Sequence, residues 1–278
     1  MFVLSFHMPL FFFISGACLK MGGGKTVFFR KIKSILLPQV TLGFLSIATT
    51  IIFDVALKHS MALEDIDYLT PFDNWFLPTL FLMDMIIIPT ITYIKSKRIL
   101  SFIALLAFLL FAFTEYQEIH YVQQTLAATF FGLCGYLTRH NLDVINESCS
   151  KYKGIGWIAL LMVALLSACN EPIGMYINQY GNKLMFLLTS VLGIYGVYDI
   201  SISAKNSSYL QWFGRQSIIV YILQFAVIRV VIAVTSMLIP NFIFDSYPFY
   251  ILSFLLTLIM LVPATLFCSK YLKFAFGK

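Results

Sequence analysis

The chain alternates long apolar stretches with short polar ones. Nine apolar runs stand out: 2–19, 35–57, 75–94, 99–114, 121–138, 155–169, 184–200, 217–239 and 250–268. Runs of this length predict helices that cross a bilayer, for which about 20 residues suffice. Several are shorter, so they would tilt little or borrow flanking residues. The connections are short, with no low-complexity tract, long linker or internal repeat. The expectation is an all-α, polytopic integral membrane bundle of about nine helices, one domain over residues 1–278.

Composition strengthens this reading. Of 278 residues 60% are hydrophobic and 12% charged, whereas soluble domains carry about 25% charged residues. So few charges cannot cover a water-facing globule. The five cysteines, Cys18, Cys134, Cys149, Cys169 and Cys268, show no paired spacing, and most lie in apolar runs as small hydrophobes. No zinc-ligand spacing, phosphate loop or Gly-x-Ser-x-Gly elbow occurs, and no metal or tightly bound cofactor is expected.

Charge adds an orientation. Alternate connections carry Lys20, Lys25, Arg30, Lys31 and Lys33, then Lys95, Lys97 and Arg98, then Arg139, Lys151 and Lys153, then Lys205 and Arg215. The tail adds Lys270, Lys273 and Lys278. Lys58 and Lys183 fall on the opposite side, and Arg229 lies within a run. The positive-inside rule puts the basic side and the C-terminus in the cytoplasm. The net charge of +6 is therefore a topology signal that calls for no nucleic-acid partner. The opposite side gathers Glu64, Asp65, Asp67 and Asp73, then Glu115, Glu118 and His120, then Asn170, Glu171 and Asn178, then Asn241 and Asp245. These side chains suit solvated loops, or a rim that recognises sugar hydroxyls.

Candidate chemistry begins in the first run, Ser5-Phe6-His7-Met8-Pro9-Leu10-Phe11-Phe12-Phe13-Ile14-Ser15-Gly16. A cleaved signal peptide fits it poorly: the basic n-region is missing, Pro9 interrupts the apolar stretch, and Ser15-Gly16-Ala17 is a weak cleavage site. On a helix His7, Phe11 and Ser15 share one face, and Pro9 kinks or starts the helix. An imidazole there can take a proton from an attacking hydroxyl, or can simply bond a neighbouring helix. Two charges stand in apolar surroundings: Asp84 midway along the third run, and Arg229 within the eighth. Buried charges of this kind pair with each other or line a wet cavity. The basic stretch Arg30, Lys31 and Lys33 either anchors to anionic lipid or holds phosphates.

The opening motif closely resembles the start of the second membrane helix in the acyltransferase-3 family, membrane enzymes that acylate sugars and cell-surface glycans. Lys25 to Lys33 with Pro38 is similar to the family's following basic segment. Asp73-Asn74-Trp75-Phe76-Leu77-Pro78 resembles its Trp-Phe-Leu helix start. Phe213 to Gln224 resembles a late Gly-x-x-Ser…Tyr-x-x-His segment, with Gln224 in place of the histidine. The resemblance implies a ten-helix bundle whose first helix would precede Met1 and would carry the family's best attested catalytic histidine. His7 matches the second motif. It further implies a catalytic role for His7, binding of acetyl-CoA or another acyl-CoA co-substrate by Arg30, Lys31 and Lys33, and substrate contacts from Asp73, Asn74, Trp75 and Gln224. Ser15, by its place on the His7 face, and Asp84 and Arg229, by their apolar surroundings, are the further catalytic candidates.

The function expected is transfer of an acetyl or similar small acyl group from acyl-CoA to a hydroxyl of a cell-surface glycan or its lipid-linked precursor, in a bacterial inner membrane. A polysaccharide transporter or export partner is the alternative from another class, favoured by broken helices around midplane charges. An inactive acyltransferase fragment lacking the first helix is the third reading.

Overall fold

The computed structural model describes residues 2–19, 24–57, 75–114, 121–141, 154–204, 206–238 and 247–272. Each of the nine apolar runs folds as helix, as expected where backbone groups find few outside partners. In chain order the helices are α1 (His7–Ala17), α2 (Gly24–Lys31), α3 (Leu37–Leu57), α4 (Phe76–Tyr93), α5 (Lys97–Phe113) and α6 (Val122–Thr138). They continue with α7 (Ile155–Cys169), α8 (Lys183–Ser203), α9 (Ser208–Arg215), α10 (Ser217–Leu238) and α11 (Tyr247–Tyr271). A π-helical turn, Ile32–Leu36, joins α2 to α3. Among the described residues the only β pairing is an isolated bridge between Gly174 and Gln179.

Among the described residues the expected nine spans reduce to fewer clear ones. Phe76–Tyr93, Lys183–Ile202 and Pro248–Tyr271 are long and apolar enough to cross a membrane. A fourth span exists if Ser208–Arg215 and Ser217–Ile232 count as one, bent by 81°. The apolar helices α1 and α7 hold 11 and 15 residues. At about 1.5 Å per residue they are roughly 17 and 23 Å long, against about 30 Å of hydrocarbon.

The chain divides into two compact units, one of Met1–Phe28 with Pro78–Ser207, the other of Phe29–Leu77 with Ser208–Lys278. In the first, α6 packs against α1 and α5, and α8 against α7 and α1. Glycine permits the closest crossing. A Cβ on Gly16 would overlap the Gly132 carbonyl, and one on Gly135 would overlap the Phe13 carbonyl. Membrane helices use such small residues to bring backbones together, since lipid supplies no hydrophobic drive for association. Gly156 and Gly196 do the same for α7 on α8. An edge-to-face aromatic cluster fills the core: the Phe111 ring lies 4.7 Å from Tyr180, and Phe186 5.3 Å from Tyr180.

In the second unit α10 packs against α11 and α3. Its core is Ile219, Ile222, Leu223, Val227, Val231, Leu261 and Cys268, with Leu45 alongside. Two hydroxyls in these helices bond their own backbone: Thr235 donates to the Val231 carbonyl and Thr257 to Ser253, each at 2.7 Å.

Candidate active site

The opening segment is pinned before α1 begins. Val3–Ser5 form a 3₁₀ turn. Ser5 is fully buried, its hydroxyl donates to the Phe2 carbonyl at 2.7 Å, and its own carbonyl accepts from Ser190 of α8 at 3.0 Å. The Phe6 ring sits where a side chain on Gly193 would stand. α1 starts at His7, so Pro9 is its third residue. A proline there loses no helical bond, because the first N–H groups of a helix have no internal partner. Pro9 starts the helix rather than kinking it.

This anchorage fixes the histidine. His7 Nδ1 lies 2.9 Å from the Val3 carbonyl. A carbonyl only accepts, so the bond places the proton on Nδ1 and leaves the lone pair on Nε2. His7 is half-buried. His7 and Ser15 do lie on one side of α1, away from the buried Pro9, Phe12 and Gly16. Eight residues of helix separate them by about 12 Å, however, too far for a direct pair.

The other candidates occupy distinct places. Asp84 is fully buried in α4 within the first unit. Arg229 is half-buried in α10 within the second. Arg30 and Lys33 are exposed and Lys31 half-buried on the helical stretch formed by α2 and the π turn. Trp75 and Gln224 are half-buried in the second unit. Here the structure joins two motifs far apart in sequence. Trp75 stacks edge-on with Phe76 at 6.2 Å, Phe76 packs on Tyr221 at 5.2 Å, and Tyr221 stands one turn before Gln224. Asp73 and Asn74 lie outside the described residues, as do the acidic clusters 64–67 and 115–120.

A family model described as an acyltransferase domain matches residues 1–269. The chain belongs to the acyltransferase-3 family. No curated protein and no solved structure matches it. Acyltransferase-3 membership makes it an acyltransferase by family, and its apolar helices mark a membrane protein.

In this acyltransferase-3 chain several polar residues have work that the sequence did not disclose. Lys183, one of the few basic residues outside the charge pattern, donates to the carbonyls of Ala112 and Thr114 at 3.3 and 3.2 Å and lies over the Phe111 ring. Gln123 donates to Phe111 and Thr114 at 3.0 and 2.9 Å. Both satisfy the orphan carbonyls that end α5, and the cation also opposes the negative end of the helix dipole. Arg139 ties down the chain just past α1, donating to the Leu19 carbonyl at 2.7 Å. At the start of α7, Asp199 of α8 accepts from the Gly156 amide at 2.9 Å. No local signal reveals these partners, because each lies many residues from the helix end that it serves.

Lys183→Met should therefore cost about 1 kcal/mol of stability, read as a lower unfolding temperature in detergent. An unchanged temperature would assign the Lys183 contacts no energetic weight. Beside this cap, burial pushes the Tyr180 phenol above its ordinary value, so it stays neutral. The hydroxyls of Thr125 and Thr129, four apart on α6, are buried and meet no hydrogen-bond partner among the described residues. Such groups are places for water or a ligand hydroxyl.

Proposed function

We propose that this protein is a bacterial inner-membrane O-acyltransferase, moving an acyl group from cytoplasmic acyl-CoA to a hydroxyl of a cell-surface glycan or its lipid-linked precursor. The observation that carries the reading is the His7 geometry, an anchored imidazole with its free lone pair on Nε2. His7 takes the acceptor hydroxyl's proton as that oxygen attacks the thioester carbonyl. The tetrahedral intermediate then collapses, the carbon–sulfur bond breaks, and the CoA thiolate leaves. The proton on the imidazolium finally passes to the thiolate, restoring neutral His7.

The remaining roles follow the charge pattern, the spacing and the family motifs together. The lysine and arginine bias supports an orientation with the C-terminus and the basic connections in the cytoplasm and the first residues outside. Arg30, Lys31 and Lys33 hold the donor's phosphates; two of the three are exposed and available. Asp73, Asn74, Trp75 and Gln224 contact substrate. The Phe76–Tyr221 contact supports a shared role for Trp75 and Gln224. Asp84 and Arg229 supply charge within the membrane, where a charge is costly and is usually paired or lines a functional cavity. Ser15 acts at a distance from His7, as a second polar group on the same side of α1.

Neutralising Arg30, Lys31 and Lys33 to glutamine together should weaken acyl-CoA binding by the full chain in nanodiscs by roughly 10²-fold, about the loss of three partly exposed charge-assisted contacts. Equal affinity in the triple variant would reduce these residues to lipid anchors.

A further inference from the structure

We propose that a slot within the first unit, between α6 and α8, holds the donor's acyl chain, and that this chain is longer than acetyl. This rests on the acyl-CoA reading above. The slot has a volume of about 320 Å³ and is lined by Phe13 of α1, Phe130 and Phe131 of α6, and Val191 and Ile194 of α8. It runs along the helices rather than across them: from Phe130 to Thr138 is about 12 Å of helix, and from Val191 to Tyr198 about 10 Å.

Its chemistry changes along that length. One end is wholly hydrocarbon. Thr138 and Tyr198 line the other end, next to Arg139. In the proposed orientation this polar end faces the cytoplasm, where acyl-CoA is captured. Arg139 there contacts Leu19, about 18 Å along the helix from His7, so the slot holds the donor before transfer and the acyl group leaves it to react at His7. The hydrocarbon end offers a sugar no hydrogen-bond partners, and burying sugar hydroxyls there would cost their hydration. A linear acyl chain leaves no polar group unpaired on entering, and it is the group that an acyltransferase must hold. The two carbons of acetyl would leave most of the slot empty. Each added methylene should tighten binding about fourfold until the slot is full.

The test uses the full chain in nanodiscs, with CoA, acetyl-CoA, hexanoyl-CoA and decanoyl-CoA as competitors against labelled CoA and lipid-only discs as background. Affinity above background should rise by roughly 10²-fold from acetyl- to hexanoyl-CoA. Val191→Trp, which fills the slot from its exposed rim, should abolish that gain and leave CoA and acetyl-CoA binding within about twofold. Ile194→Phe gives a second filled slot should the tryptophan variant fail to fold. Chain-length-independent binding, or a gain that survives both substitutions, overturns the slot and leaves the donor reading standing. A phospholipid with a mid-chain diazirine that labels Phe13 or Phe130 and is not displaced by decanoyl-CoA also overturns it, because the occupant is then a bilayer lipid. Failure of CoA and every acyl-CoA to bind overturns both readings.

Discussion

Replacing His7 by glutamine is expected to lower acyl transfer by about 10²- to 10⁴-fold while leaving membrane insertion and unfolding temperature unchanged. Glutamine retains an N–H that can reach the Val3 carbonyl, so the local anchorage survives. It has no lone pair basic enough to take a proton near neutral pH. The 3₁₀ turn, the Ser5–Ser190 bond and the Phe6–Gly193 seat hold residues 3–7 independently of the imidazole. The loss should therefore fall on turnover rather than folding. Transfer of labelled acyl groups to membrane glycan by the purified full chain is the measurement. Near-normal transfer by His7→Gln would return the residue to a packing role and move the base elsewhere.

Gly16→Leu should be the most damaging single substitution in the first unit. α1 and α6 meet backbone to backbone at Gly16, Gly132 and Gly135, and any Cβ on Gly16 enters the Gly132 carbonyl. Neither backbone can yield without moving a whole helix, so the cost should reach about 3 kcal/mol or more. Shifting α1 also disturbs the turn that aims His7, and activity should fall together with stability. Gly214→Ala is the control, since a Cβ there meets nothing within 4 Å. Denaturant unfolding in detergent reads both variants, and a Gly16→Leu protein as stable as Gly214→Ala would sink the crossing as a determinant of the fold.

Some of the chemistry was legible in part. The His7–Phe11–Ser15 stripe follows from helical spacing, and the structure keeps those residues on one side of α1. The same spacing shows that His7 and Ser15 are about 12 Å apart, beyond direct cooperation. Span counting from apolar runs went further than the helices themselves support. Hydropathy registers apolar residues, whereas crossing a bilayer also demands length, and α1 has only 11 residues.

The sequence by itself determined the helical class, the position of every apolar helix and the family. Each depends on local quantities, the run of apolar side chains and a short motif read in order. Only the tertiary structure decided that Pro9 starts α1, that Val3 directs the His7 proton to Nδ1, and that Lys183 and Gln123 close α5. It alone brought Phe76 against Tyr221 and the glycines of α1 and α6 into contact. Those outcomes depend on which distant backbone groups lack partners and which surfaces are small enough to meet. Neither quantity exists until the helices pack.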